Sequence, residues 1–364
     1  MDLERIIKHT LEIQAIPAPT FSEGARAAWI HRKLNEFNLP LVELDPVGNV
    51  YGRIPGGDQL PVVISAHLDN VFPIETSLKA NRTSNRLLGP GIGDNAVALA
   101  TLLELAEDLQ KMPLPGDVWL IATVGEEGLG NLLGMRQVVS RFQDRVTAYV
   151  VLEGMALGHI YHKGLPVRRY RITAQGPGGH SWIHHGRASA LHTLIEIAHK
   201  IIEVRIPTSP KTTLNIGLLH GGTTVNSIAR LAYFELDLRS ESESELEKLA
   251  TTIEDLLSAH KDQGIQLRIK AIGERPGGQI AEDHPLVEAA KDALKSVGES
   301  QIYLEAGSTD ASVPLSMGFP AFCVGVTRGG GAHSMEEFIE IDPIPRGYKS
   351  ILLIVAAAFE VSGS

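Results

Sequence analysis

The sequence predicts an α/β protein: a mostly parallel sheet flanked by helices, interrupted by a smaller inserted domain of order βαββαβ. Three observations predict it. Short apolar runs alternate with amphipathic helical stretches through the first half. Near Gly164 the pattern changes to half-exposed, alternating strands. Near Pro276 the first rhythm returns and runs to the end of the sequence. The expected boundaries are 1–164 and 274–364 for the two parts of the larger domain and 165–273 for the insertion. A length of 364 residues also favours two domains over a single core.

The elements follow in order. Met1 to Ile13 places apolar residues at helical spacing. Ser22 can cap a helix in which Ile30, Leu34 and Phe37 share a face. Pro61 to Ala66 reads as a short buried strand, Ala96 to Lys111 as a helix, and Val118 to Val124 and Ala148 to Leu152 as further apolar strands. This βαβ rhythm implies a parallel sheet buried on both faces. In the insertion, Val167 to Ala174 alternates as a strand, and Arg187 to Val204 carries an apolar helical face. Thr212 to Leu219 and Leu231 to Leu238 are strands, Ser242 to His260 an acid-rich helix, and Ile265 to Ile272 a last strand. That order is the split, ferredoxin-like unit. Beyond it, Pro285 opens a helix that Gly298 closes. Pro320 to Val326 is a buried strand, and Arg346 to Val361 a final helix.

Composition bounds the function. The formal net charge of −10 excludes a broadly basic nucleic-acid surface, and no apolar run has the length of a membrane span. The first residues lack the pattern of a secretory leader, so the expected location is the cytoplasm. The single cysteine, Cys323, rules out an intramolecular disulfide and a thiolate cluster. Any metal site must therefore use histidine and carboxylates.

Residues of that kind recur where open parallel sheets bind ligands, beyond the carboxyl ends of the strands. His67 and Asp69 follow the strand ending at Ala66. Two residues apart in extended chain, they point the same way, so Asp69 can orient the His67 ring. Asp94 follows a glycine-rich turn and precedes a helix; alone it reads more readily as an N-cap, yet a carboxylate can also bridge two cations. Glu126 and Glu127 end the Val118 strand. Adjacent side chains diverge, so one can bind metal while the other faces an attacking water. Glu153 ends the next strand, and His333 follows the strand Pro320 to Val326. Each alone also fits a solvated turn or strand end. Together, His67, Asp94, Glu127, Glu153 and His333 suit two divalent ions, zinc first, with manganese or cobalt also compatible.

The ordered runs His67-Leu68-Asp69, Gly89-Pro90-Gly91-Ile92-Gly93-Asp94-Asn95, Gly125-Glu126-Glu127-Gly128, Glu153-Gly154 and Gly331-Ala332-His333-Ser334 resemble the di-zinc exopeptidase and aminoacylase family. Carboxypeptidase G, tripeptidase T and succinyl-diaminopimelate desuccinylase are members. The resemblance covers nearly the whole chain. It implies a zinc-exopeptidase-like larger domain and an insertion that acts as a lid and dimerises the protein. It implies Asp94 as the bridge, His67 and Glu153 completing one metal site, and Glu127 and His333 the other. Asp69 would support His67, and Glu126 would be the general base. A cis peptide is expected at Asp94–Asn95.

In the insertion, Gly179-His180-Ser181 resembles the family's oxyanion-binding histidine. Asn226, in the Gly221-Gly222 turn, Arg239 and the Gly307-Ser308-Thr309-Asp310 loop resemble substrate contacts. For Asn226 an ordinary turn and for Arg239 a surface ion pair are the competing readings. His184 and His185 read as solvated, and Cys323 as core. Two departures stand out: Asn70 and Asn95 replace the family's usual Thr and Asp. The implied substrate is a small peptide or N-acyl amino acid. A non-catalytic metabolite-binding descendant would have lost a ligand or the base, and this sequence has lost neither.

Overall fold

The computed structural model describes residues 1–260 and 264–361. The chain forms two compact units. One comprises Met1–Gly164 with Gly278–Ser364, and the other Leu165–Gly277. The second division falls beyond the expected position at 273 because the strand Gln266–Arg275 keeps pairing with Val167–Gln175 past Gly273, after a bulge.

In the larger unit a nine-stranded sheet has a parallel centre. Gln59–His67 pairs in parallel with both Gly116–Thr123 and Ala148–Glu153, and Ala321–Gly325 continues in parallel beside Ala148–Glu153. These strands are almost wholly buried, which explains their continuous apolar runs. The helix Val97–Leu109 packs against the strand Gln59–His67, as does the last helix, Ile344–Val361. Antiparallel strands close the sheet at its margins: the hairpin Leu41–Leu44 with Val50–Ile54 on one side, His159–Gly164 with Gly278–Gln279 on the other. A small sheet joins Asn81–Arg82, Arg86–Leu88, Phe338–Glu340 and Gly329–Gly330. Among the described residues, no helix is long and apolar enough to cross a membrane.

The smaller unit is a four-stranded antiparallel sheet in the order Thr212–Gly221, Leu231–Ser240, Val167–Gln175, Gln266–Arg275. Helices Ala190–Ile202 and Glu243–Ala259 supply its core with Leu194, Ile197, Leu246 and Ile253, packed with Ile172, Phe234 and Leu236 of the strands. Chain order and strand order together are those of the ferredoxin-like unit.

One close approach in the larger unit shapes its ligand-bearing end. Gly154 follows the last residue of the strand Ala148–Glu153, and the turn Ile92–Ala96 runs directly against it. A methyl group at 154 would overlap the carbonyl oxygen of Gly93. The absence of a side chain there lets the backbone around Asp94 sit beside Glu153. Gly154→Ala must move one of these backbones, at a cost of about 1–3 kcal/mol, which lowers the thermal midpoint by roughly 2–6 °C. Gly24→Ala is the control. Gly24 opens the helix Gly24–Glu36 and an added methyl meets nothing, so that change leaves the midpoint level or raises it. Differential scanning calorimetry checks both, and equal midpoints for the two variants would contradict the packing account.

Candidate metal centre

The strand ends of the larger unit bring five acidic and imidazole side chains together. His67 is the last residue of Gln59–His67, and Glu153 the last of Ala148–Glu153. Glu127 follows the end of Gly116–Thr123. Asp94 lies in the turn Ile92–Ala96, and His333 in the loop between Gly329–Gly330 and Phe338–Glu340, at a left-handed φ of 64°. Ligand-type atoms of His67, Asp94 and Glu127 all lie within 4.8 Å of one another.

The contacts divide around Asp94. Its Oδ1 is 3.0 Å from His67 Nε2, which lies 3.8 Å from Glu153 Oε2. Its Oδ2 is 3.1 Å from His333 Nε2, which lies 3.0 Å from Glu127 Oε1. Asp94 does not cap the helix that follows; that helix, Val97–Leu109, has Ala96 at its cap position. The Asp94–Asn95 peptide is cis.

The electrostatics are those of a crowded anionic pocket. Burial pushes Glu153 up to about 7, against the pull of His67. Burial likewise opposes ionisation of Asp94, but hydrogen bonds from His333 and His67 hold its carboxyl below the ordinary range. Hydrogen bonds to Asp94 and Glu127 raise His333 to about 10. His67 is fully buried, which disfavours its cation, yet Asp69, Asp94 and Glu153 raise it well above its usual value. Both imidazoles thus sit among three converging carboxylates. His333 Nε2 faces two carboxylate oxygens at once, and a single N–H cannot point well at both. A nitrogen- and oxygen-donor set with this surplus of negative charge fits divalent cations such as zinc.

Asp69, expected to support His67, has several tasks in the structure. The nearest acceptor for His67 Nδ1 is the main-chain carbonyl of Asp69, at 3.1 Å; the carboxylate is at 3.5 Å. The shorter contact is the hydrogen bond, and the carboxylate adds its charge. Fully buried, that carboxylate accepts the amide N–H of Glu126 at 3.0 Å, that of Glu127 at 2.9 Å, and the Thr20 hydroxyl at 2.8 Å. Asp69 therefore holds the backbone of both glutamates. Glu23 assists by accepting the N–H of Gly125 at 3.0 Å. It is Glu23, not Ser22, that occupies the cap position of Gly24–Glu36, and its side chain makes no capping bond there. Glu126 itself is buried beside Glu127.

Glu337, which no sequence motif marks, anchors the Asp94 turn. Its carboxylate accepts N–H groups from Gly91, Gly93 and Asp94 at 3.1, 2.7 and 2.9 Å. Only its nearness to His333 in sequence could have marked it. Asn95, one of the two departures, donates its side-chain N–H to the carbonyl of Leu152 at 2.9 Å. An aspartate there would offer no such donor when ionised. The other, Asn70, accepts the Phe72 N–H at 3.1 Å.

The remaining candidates are distributed over both units. Thr309 accepts the N–H of Ala311 at 3.3 Å, and its neighbour Asp310 takes the Thr123 hydroxyl at 2.6 Å, which ties this loop to the strand preceding Glu126. In the smaller unit, His180 and Asn226 are brought together: Gly179–His180 pairs with Ser227–Ile228, and the Asn226 carbonyl accepts the Ser181 N–H at 3.0 Å. His180 Nδ1 accepts the Trp182 N–H at 3.2 Å, and the His180 N–H donates to His184 Nδ1 at 2.9 Å. His185 is exposed. Arg239 forms an ion pair with Asp237 of its own strand at 2.7 Å. Cys323 is fully buried in its strand.

The model of peptidase family M20/M25/M40 matches residues 63–357. Succinyl-diaminopimelate desuccinylase of Corynebacterium glutamicum is 28% identical over 347 residues, 92% of each chain. Acetylornithine deacetylase of Photorhabdus laumondii is 25% identical over 309 residues, 80% of this chain and 77% of that one. Among solved structures, a tripeptidase from Staphylococcus aureus matches with a TM-score of 0.79 at 20% identity over 99% of both chains. A dinuclear metal-binding peptidase from Bacillus subtilis matches with a TM-score of 0.67 at 19% identity, again over 99% of both. These structures share the fold, and since the family match spans most of the sequence, the chain belongs to peptidase family M20/M25/M40.

Proposed function

We propose that the protein is a hydrolase that uses two divalent metal ions, zinc first among them, to cleave an amide bond in a small peptide or N-acyl amino acid. The observation that carries this reading is the division around Asp94. Its two oxygens face two different histidine–carboxylate pairs, His67 with Glu153 and His333 with Glu127. A bridging carboxylate with those pairs as remaining ligands would account for these four contacts. Bound there, the two ions would polarise the scissile carbonyl and favour ionisation of the attacking water. Relatives in the family support the substrate class, since they include a desuccinylase, a deacetylase and a tripeptidase.

The chain's own residues supply the rest. Glu126 is the general base: it takes a proton from the attacking water and hands it to the leaving amine. Its backbone, like that of Glu127, is fixed by the Asp69 carboxylate. Two neighbouring glutamates are thus held on one rigid segment, one to bind metal and one to move a proton. His180 is the oxyanion donor. Its Nδ1 accepts a backbone N–H, which puts the neutral ring's proton on Nε2, where it can donate. Asn226 and Thr309 are the substrate contacts. Arg239 serves a substrate carboxylate only in competition with Asp237.

Glu126→Gln keeps the shape and removes the base. It is expected to lower kcat by about 10²–10⁴-fold while metal content, read by plasma mass spectrometry, stays at the parent value. A variant that keeps more than a tenth of parental activity would remove Glu126 from this role. The parent, incubated with mixed di- and tripeptides and N-acyl amino acids, should release a free amino acid from at least one. Mass spectrometry then shows which end is freed. No release from any of them, with metal bound, would overturn the hydrolase reading.

The same reading makes the smaller unit a dimerisation domain. Supporting it, Thr212–Gly221 is an edge strand with Leu218 and Leu219 exposed, and Trp182, Ile183 and Val225 are exposed in the same unit. Sedimentation velocity should give a species near twice 39.3 kDa. Monomer alone at micromolar concentration would contradict it and, with it, a cross-subunit role for His180.

A further inference from the structure

Glu337 sits in the same loop as His333, yet its side chain turns away from solvent and is fully buried. A buried carboxylate needs donors. Here one oxygen accepts the N–H of Gly93 and of Asp94, and the other that of Gly91. Gly91 has a left-handed φ of 73°, which turns successive amides toward a common point and makes an anion-holding nest of the backbone. The main chain adds to the joint: the Glu337 carbonyl accepts the Gly89 N–H at 2.8 Å, and Phe338 pairs with Leu88. The segment carrying His333 and the turn carrying Asp94 are therefore one joined piece, with the Glu337 carboxylate as its pin.

We propose that Glu337 is a positioning residue for the metal centre. It fixes the backbone from Gly91 to Asp94, so that the two oxygens of Asp94 stay divided between His67 and His333. The inference rests on the ligand reading given above. The Glu337 carboxylate lies on main-chain amides, not on the proposed ligand atoms, and acts through the amide of Asp94. Glu337→Gln keeps the volume and one carbonyl acceptor. It replaces the other acceptor with an N–H₂ group facing a backbone N–H, so part of the nest is lost.

The test is zinc affinity of the metal-stripped protein, measured by competition with a chromogenic chelator. The parent, Glu337→Gln, Glu337→Asp and His333→Ala are compared, with circular dichroism giving the folded fraction of each. Glu337→Gln should bind zinc about 10–100-fold more weakly, and at saturating zinc kcat should fall with KM little changed. If Glu337→Gln does not fold, Glu337→Asp carries the test, because it keeps the charge but withdraws it from the nest; the same weakening is expected. A folded Glu337 variant with zinc affinity within about twofold of the parent would overturn the proposal, whatever its melting temperature. His333→Ala separates the two levels. If it too left zinc affinity unchanged, the ligand reading itself would fall; if it weakened binding and the Glu337 variants did not, only the positioning role would.

Discussion

Like charges gathered at one place are the constraint on which the rest of this structure depends. Asp94, Glu127 and Glu153 converge on two imidazoles within hydrogen-bonding reach or close to it. Ligand-type atoms of Asp94 and Glu127 lie within 4.8 Å of one another, and at that range in partly buried surroundings two like charges repel by roughly 3 kcal/mol or more. The free chain would relieve it by swinging the carboxylates into water. The fold limits that by fixing the backbone at Asp94 and at Glu126 and Glu127. Two further buried carboxylates do much of the work. Asp69 holds the amides of Glu126 and Glu127, and Glu337 those of the turn leading into Asp94. Glu23 holds the amide of Gly125, just before them. Each accepts main-chain donors, so its own charge is satisfied while the ligands it positions remain short of positive charge. That shortfall is what the proposed cations would fill.

The sheet explains why the ligands meet. Parallel strands deliver their carboxyl ends to one edge, and Gln59–His67, Gly116–Thr123 and Ala148–Glu153 are neighbours there. Side chains at the ends of adjacent strands need only short loops to converge. Asp94 and His333 come from outside this row and need extra fixing. Asn95 ties the Asp94 turn to Leu152, next to Glu153, and Gly154 lets that turn approach. His333 rides on the small sheet formed with Arg86–Leu88.

Much of this was legible in the sequence, for identifiable reasons. The central strands are buried on both faces and so read as unbroken apolar runs. Strands of the smaller unit, Val167–Gln175 and Leu231–Ser240, alternate buried and partly exposed residues and so read as half-exposed. The ligand candidates stood out because carboxylates and histidines recur together at the ends of such strands, although each alone also fits a solvated turn or a cap. What stayed hidden had the opposite character. Glu337 is one of two adjacent acidic residues in a polar loop, and its partners are amides far away in sequence, which no residue type advertises. Glu23 lay beside Ser22, a better cap by composition, and was masked by it. The bond from His67 to the Asp69 carbonyl could not be foreseen either, because sequence spacing places side chains on a face but does not say whether a ring meets a carboxylate or the main chain behind it.

The central claim is that Asp94 stands between two cations, each completed by one histidine and one glutamate. The most direct measurement is anomalous diffraction from zinc-loaded crystals, recorded on both sides of the zinc absorption edge. Two anomalous peaks are predicted, one beside each oxygen of Asp94, the first within coordination distance of His67 and Glu153 and the second of His333 and Glu127. No peak at this cluster, or a single peak bound by one histidine alone with Asp94 turned away, would contradict it.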